Sequence, residues 1–540
     1  MITSSPQDVV QGRQAEAPTA HNGSKIIFVD RILDNVHGYI ELTKVEREII
    51  ELPIFKRLQS IKQLSLVNWV FPGAEHTRYT HSLGVMYIVD KMAVQLEFSD
   101  EDRQLIRLAG LLHDIGHYPL SHVGESAYKV PTEDYCFVQG HIKDTCSTIE
   151  KITKEPKPIF DDPNGSKQHH HEIVGERVIR ASNEIKGLIE RHCPFVNIEY
   201  ICDIIVGRYK LCEEYPKLAV MVQLMHSELD ADRMDYLLRD ASFSGTSYGA
   251  VDMGIIIKNL TIAEYDGYEI VGIKPKGITA ADQFLLNRFF SISQIICNRH
   301  VAALEFMAEA IIRHAAESGS SEFPLLNRLC KQWVKKYEVM DNYLQFTDHL
   351  FWNVVYTYAK QGAEATNPEY IVTFARFLTK HKEIGTVPLS EVVCSGFDSS
   401  CLLDQVKQSQ AYANLCENEN SNYDMFMRDS IASKGEDDFI IQRVHIVRVT
   451  DKTPITKFED YLRAFDNGAE NDAKEERRRK YRRYRMLDGL AVIDSANGTK
   501  KVHLLVDDSR SLLKSMYNLQ LVIMREYNVH KAEDEVANAS

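Results

Sequence analysis

The stretch 110-GLLHDIGHYPLSH-122 places three histidines and an aspartate in thirteen positions, directly after an apolar run that reads as a buried helix. In "EDRQLIRLAGLLHDIGH", Leu105, Leu108, Ala109 and Leu112 share one helical stripe, and Gly116 is the expected stop. That places His113 and Asp114 at the exposed end of a core element. A lone histidine there would cap carbonyls or satisfy core groups. An adjacent imidazole and carboxylate instead suit a first-row divalent ion, which a rigid helix end can hold. Two ligands are too few, so other parts of the chain must supply the rest.

Candidates lie on both sides. In "EHTRYTHSLGVMYIVDKMAVQL", His81 opens a helical pattern with Gly84, Val85 and Ile88, which sets its imidazole on the inward side. In "ELDADRMDYLLRDASFSG", Asp232, Tyr236 and Asp240 recur every four residues, so two carboxylates and a phenol share a helix face. A solvated acidic stripe is the competing reading of that face, but Tyr236 sits among the acids.

Length and composition set the frame. With 540 residues and 44% hydrophobic content, the chain can bury large cores in two or more lobes. A net charge of -14 excludes a protein that coats nucleic acid over its whole surface. Its 10 cysteines contain no CxxC pair, which fits free thiols in a reducing compartment, so a cytoplasmic location is expected. No apolar run of about eighteen residues occurs, so no membrane span or membrane partner is expected.

Residues 1–25 read as a disordered polar tail, and folded sequence begins near "KIIFVDRILDNVHGYIEL". The region 26–316 is mostly helical in pattern, interrupted at 131–171 by a loop insertion rich in Pro, Gly, Asp and Asn. A helical extension is expected over 317–434 and a smaller α/β lobe over 435–530, followed by a tail at 531–540. Within that lobe "DFIIQRVHIVRVT", "LDGLAVIDSA" and "TKKVHLLVDD" read as strands, and "SRSLLKSMYNLQLVIMREY" as a helix. The fold class expected is therefore mainly α, a helical core with a smaller C-terminal α/β lobe.

These blocks resemble the HD-domain phosphohydrolases, and within them the deoxynucleoside triphosphate triphosphohydrolases (dNTPases). The likeness rests on "HGYIELTKVEREIIELPIFKRLQSIKQLSLVNWVFPGAEHTRYTHSLGV", "AGLLHDIGHYPLSH" and "LDADRMDYLLRD" in that order, across roughly 28–310 and more faintly 435–530. About 25 polar residues precede it, so no sterile-alpha-motif domain is expected ahead of the HD core. The resemblance implies a metal held by His81, His113, Asp114 and Asp232, an Fe, Mn or Zn ion beside the α-phosphate, with Mg2+ accompanying the substrate triphosphate. It implies His122 as general acid, Glu125 as its orienting carboxylate, and His117 and His171 as phosphate-contacting or proton-handling rings. Arg78, Arg233, Tyr236 and Arg288 would contact the triphosphate, while Gln63 and Asp240 would read the sugar 3′-hydroxyl. Another HD phosphohydrolase activity, or a catalytically silent nucleotide sensor, remains the alternative. The likeness further implies a homo-oligomer, dimer or tetramer, a nucleotide activator, and a role such as limiting dNTPs against phage or virus.

The sequence departs from the family in two places. The family segment R-x5-Q-x-Y-x-H is met by Arg288 and Gln294, but Ile296 stands where a base-stacking Tyr is expected and Asn298 where the His is. Glu51 keeps the acidic character of the guanine-activator pocket, but Gln59 replaces an Arg there, so guanine is not expected as activator. Separately, "KEERRRKYRRYR" at 474–485 carries eight Lys or Arg with two tyrosines. It suits nucleotide, tripolyphosphate or single-stranded nucleic acid; a solvent-facing helix paired with Glu470, Glu475 and Glu476 is the competing reading.

Overall fold

The helix Asp100–Leu112 is the hub of the molecule. Ser99 caps it by accepting the Asp102 N–H at 3.1 Å, and Asp100, Glu101 and Asp102 complement the positive end of its dipole. Every residue from Gln104 to Leu112 is buried. Even Arg107 is enclosed, ion-paired at 2.7 Å to Glu46 and 3.0 Å to Asp90. The helix packs on Arg78–Gln95, which in turn packs on Ala231–Ser244. Gly84 makes that second contact possible, because a Cβ there would lie 1.9 Å from Asp235 Oδ1.

A computed structural model describes residues 26–129, 137–138, 170–317, 343–361, 367–380, 388–396, 430–434, 438–450, 486–487, 489–496 and 499–530. The expected tails 1–25 and 531–540, His169 and the basic run 474–485 lie outside the described residues. Of the expected insertion 131–171, the described part is the strand Phe137–Val138 and the start of the helix His170–Ala181, so His170 and His171 belong to that helix.

Three sheets accompany the helices. An antiparallel hairpin joins Phe28–Asp34 to Gly38–Thr43. The hairpin Leu260–Tyr265 and Tyr268–Ile273 forms a four-stranded sheet with Ala491–Ala496 and Thr499–Leu504 from the far end of the chain. A five-stranded sheet runs in the order Phe137–Val138, Ser430–Lys434, Asp438–Arg448, Gln520–His530, Ser390–Gly396. The molecule is thus mainly helical with a smaller sheet-containing C-terminal region. One apolar core extends from Ile40 to Val529, so that region shares the core of the helical part. Among the described residues no helix is long and apolar enough to cross a membrane.

Four expectations need correction. The central helix ends at Leu112, so Gly116 is not its stop; Gly116 instead admits the helix His170–Ala181, since a Cβ there would lie 2.1 Å from the His171 carbonyl oxygen. His113 and Asp114 are buried, at 7% and 1% exposure, because the His170–Ala181 and Ala231–Ser244 helices cover that end. The expected helix over "SRSLLKSMYNLQLVIMREY" is a short turn at Leu513–Met516 followed by the strand Gln520–His530. The stretch 317–434, expected as helical, holds the helices Asp348–Ala359 and Glu369–Lys380 but also the strands Ser390–Gly396 and Ser430–Lys434. The long helical pattern from Ala280 to Ala316 is broken at Ile292–Ile296 by a π-helical turn, a feature frequent at functional sites.

Candidate metal and phosphate site

Two helices and the turn after a third bring the four expected metal ligands together. His81 comes from Arg78–Gln95, His113 and Asp114 from the turn after Asp100–Leu112, and Asp232 from Ala231–Ser244. Donor atoms of His81, His113 and Asp114 lie within 4.8 Å of one another. Asp232 Oδ1 is 3.0 Å from His81 Nε2 and 4.0 Å from His113 Nε2. Both Nε2 atoms are buried without a hydrogen-bond partner, the His81–Asp232 approach being out of hydrogen-bond alignment. Leaving two buried imidazole nitrogens unpaired is costly unless something binds their lone pairs.

The outer nitrogens are fixed. His113 Nδ1 is 2.8 Å from the Gly110 carbonyl, and His81 Nδ1 is 2.8 Å from Asp235 Oδ2. Donating Nδ1–H to these acceptors turns each Nε2 lone pair toward the carboxylates, the arrangement typical of metal-bound histidine. Asp235 is itself held by His37 Nε2 at 2.5 Å and by Arg239 at 2.8 and 3.0 Å, and Arg239 continues to Asp34. Electrostatics agree with a cation site. Burial opposes charge on His81, yet Asp232 and Asp235 raise its pKa to about 10. Burial lowers the His113 pKa. Asp114 is held below the carboxylate range despite burial, chiefly by Arg78. Two imidazoles and two carboxylates suit a divalent metal ion.

A second cluster adjoins the first. His117 and His171 stack at 4.3 Å, with His122 5.0 Å from His117. Glu125 joins them, 2.9 Å from His122 Nδ1 and 3.2 Å from His171 Nδ1. Its side chain is 2% exposed, whereas that of His122 is 60% exposed, so His122 forms the open rim. The tautomer of His117 follows from its neighbours. The Tyr118 N–H reaches His117 Nδ1 at 3.2 Å, and burial holds the ring pKa well below 6.5, so its one proton is on Nε2. That N–H stands 3.8 Å from Asp114 Oδ1 without a hydrogen bond. Burial opposes protonation of His171, but Glu125 raises its pKa.

The remaining expected residues divide into two groups. Arg78 is 3% exposed; it pairs with Asp114 at 2.8 Å and donates to Ser121 Oγ at 3.0 Å, while Glu75 pairs with Lys62. Gln63 and Asp240 meet through His76: the Gln63 N–H donates to the His76 carbonyl at 3.0 Å, and His76 Nε2 is 2.8 Å from Asp240 Oδ1. Gln63 Oε1 is buried without a partner. Burial raises the Tyr236 pKa to about 12, with the charges of Arg288 and Arg233 opposing. Arg233 is engaged with Asp230 and the Ser227 carbonyl, and Arg288 donates to the Val449 carbonyl at 3.3 Å. Glu51 and Gln59 are exposed, Glu51 pairing with Arg47 and Lys56.

Sequence reasoning missed Asp235, His37, Arg239 and His76. Asp235 had a signal, since it follows Asp232 by three residues on the same helix. His37 and Asp34 had none, because the hairpin turn that carries them meets Asp235 and Arg239 about 200 residues later.

Residues 78–240, which contain both clusters, match the HD domain family. The chain is 29% identical over 314 residues to an uncharacterized protein of Methanocaldococcus jannaschii, 58% of this chain and 56% of that protein. It is 30% identical over 254 residues to the human deoxynucleoside triphosphate triphosphohydrolase SAMHD1, 44% of this chain and 36% of that protein. The chain spans about half the length of the curated relatives it matches. A hypothetical protein from Aquifex aeolicus shares its fold, with a TM-score of 0.57 at 20% identity over 93% of this chain and 96% of that one. The chain therefore carries an HD domain and is related in sequence to the HD-domain dNTPases.

Proposed function

We propose that this chain is a metal-dependent HD phosphohydrolase that cleaves dNTPs to deoxynucleoside and tripolyphosphate. The observation that carries the reading is the pair of unpaired, buried Nε2 atoms of His81 and His113 facing Asp114 and Asp232, with phosphate donors at their side. His81, His113, Asp114 and Asp232 would hold the ion, which supplies a lowered water pKa and polarisation of a phosphoryl oxygen.

The chain's own residues supply the remaining functions. Arg78 and the His117 Nε2–H offer a charge and a neutral donor to α-phosphate oxygens, and Arg233, Tyr236 and Arg288 extend the contact along the triphosphate, which arrives with Mg2+. Water adds at the α-phosphorus, the bond from phosphorus to the 5′-oxygen breaks, and that oxygen takes a proton from the Glu125-linked histidines. His122 stands at the open rim, with His171 as the ring whose proton Glu125 favours. The Gln63 amide and the Asp240 carboxylate would receive the 3′-hydroxyl. Ile296 is half-buried against the small core cluster of Leu64, Val67, Ala74, Ile295 and Val301 and would give the base aliphatic contact in place of an aromatic face.

Product analysis across all dNTPs and NTPs with Mn, Fe or Zn tests the reading. Tripolyphosphate with deoxynucleoside, and ribonucleotides turned over more slowly, is the expected result. Orthophosphate or a nucleoside monophosphate would instead support another HD phosphohydrolase, and equal turnover of ATP and dATP would remove the sugar-reading role. Assembly belongs to the same reading. Val29, Leu33 and Tyr39 of the first hairpin are 52%, 67% and 57% exposed, which favours a partner copy. Mass measurement with single and mixed dNTPs checks both the homo-oligomer and its nucleotide activator.

A further inference from the structure

The histidine-bearing loop 115–122 is shaped by a segment more than two hundred residues away. Leu120 and Ser121 both have left-handed backbones, at φ 54° and 55°, and neither is glycine. Two such residues in succession are strained and persist only where the surroundings over-determine them. Here four bonds do so. The Leu120 N–H donates to Asp348 Oδ1 at 2.7 Å, and the Ser121 N–H to the Tyr118 carbonyl at 3.0 Å. Ser121 Oγ donates to the Lys62 carbonyl at 2.6 Å and accepts from Arg78 Nε at 3.0 Å.

Asp348 sits in the first turn of the helix Asp348–Ala359 and is 7% exposed. Its second oxygen accepts the Lys62 N–H at 3.0 Å, next to Gln63. One carboxylate thus ties together the segment before His122 and the segment that presents Gln63. The same stretch of chain supplies a second tie. Arg57 donates to the Ile115 and His117 carbonyls and to the Phe346 carbonyl, with the Tyr343 ring 4.2 Å from its guanidinium. Burial raises the Asp348 pKa to about 6, against the opposing pull of the Lys62 and Leu120 N–H groups. A carboxylate kept at that cost serves something other than anchoring its own helix.

We propose that Asp348 is a positioning residue of the phosphate site: through Leu120 and Lys62 it fixes the register of His117, Ser121 and His122 against Arg78 and Gln63. This inference rests on the phosphohydrolase reading above. Asp348→Asn keeps the size of the side chain but can accept only one of the two N–H groups. Displacement of a reacting group by about 1 Å costs on the order of a hundredfold in rate. The variant is therefore expected to lose about ten- to a hundredfold in kcat, with KM changed less than about threefold and metal content unchanged.

Val354→Ala is the control, since Val354 is fully buried on the same helix and its side chain has no polar atom to take part in either tie. It should lower Tm without the loss of kcat. Hydrogen–deuterium exchange on the metal-loaded full chain gives a readout independent of substrate. Exchange at Leu120 and Lys62 should quicken in Asp348→Asn but not in Val354→Ala. Parallel loss of kcat in both variants at matched Tm, unchanged exchange at Leu120, or failure of Asp348→Asn to fold would each assign Asp348 to the fold alone and overturn the proposal. A parent enzyme inactive on every dNTP would refute the functional reading instead, and the exchange experiment would still decide the positioning role.

Discussion

Replacement of Asp235 by Asn tests how the metal centre is built without touching any proposed ligand. Asp235 is fully buried and accepts from His81 Nδ1, His37 and Arg239. An amide there can still accept one proton, but its NH2 would face either His81 or Arg239. Turning the imidazole to satisfy that donor would move the Nε2 lone pair away from Asp114 and Asp232. Loss of such an outer partner typically lowers metal affinity by about 10- to 100-fold, or roughly 1.4–2.7 kcal/mol. Stability falls as well. Breaking a buried ion pair costs about 3–5 kcal/mol when one charge is stranded. Arg239 keeps Asp34 at 2.8 Å, so the loss should lie below that range.

The assay is metal titration of the metal-free chain by calorimetry with Mn or Zn, together with Tm in the metal-free state. Gly84→Ala provides an independent perturbation of the same contact, because its Cβ would lie 1.9 Å from Asp235 Oδ1 and 2.5 Å from an Arg239 nitrogen. Both variants should bind metal more weakly at an unchanged stoichiometry of one ion at the site. Folded Asp235→Asn with the parent's affinity would show that His81 is oriented by its helix alone, and the argument from outer partners would be wrong.

His113→Ala with Asp114→Ala should abolish bound metal and hydrolysis while far-ultraviolet circular dichroism stays helical; retained metal and turnover would move the site elsewhere. His122→Ala should lose about 10²–10⁴ in kcat with modest change in KM, as expected for a proton donor, and weakened binding at full kcat would make it a phosphate contact. Glu305 is buried and its pKa is raised to about 7, with Arg443 opposing. A folded pKa above the unfolded value of about 4.3 means its stabilising contribution is present below that value and lost as pH rises through 7. Glu305→Gln should therefore gain in Tm relative to the parent between pH 5 and 8, and a gap that stays constant would show that Glu305 is not protonated on burial.

The expected ligands were legible because each lies on or directly after a helix: His81 on the inward side of its helix, His113 after the apolar stripe that buries Leu108, and Asp232 on a face shared with Tyr236 and Asp240. Periodicity carries information over four residues and no further. The Asp235–His37 and Asp348–Lys62 contacts span 198 and 286 positions, so nothing in the local sequence marks them. The strand Gln520–His530 was read as a helix for a related reason. It lies between Asp438–Arg448 and Ser390–Gly396 with Val522 to Arg525 all buried, so the alternation that identifies a half-exposed strand is missing. Gly116 looked like a helix stop because tight approach of a second helix and a left-handed cap both select glycine.

The two clusters share one construction. In each, a deeply buried carboxylate holds two imidazoles: Asp235 takes His37 and His81, and Glu125 takes His122 and His171. Both carboxyls stay ionised well below the usual range, although burial opposes it. Asp235 is also paired with Arg239, and its imidazole His81 directs Nε2 at two further carboxylates, Asp232 and Asp114, of which Asp114 is paired with Arg78. Glu125 holds its two rings and also accepts the His171 backbone N–H at 3.2 Å. Arg78 touches both clusters, bonded to Asp114 on one side and Ser121 on the other, and its charge lowers the pKa of Asp114 in one and of His117 and His122 in the other. The two clusters lie about one helical turn apart in sequence, from His113 to His117, and meet in space where His117 and His171 come within 3.8 and 4.0 Å of Asp114, so a change of charge at one is felt at the other.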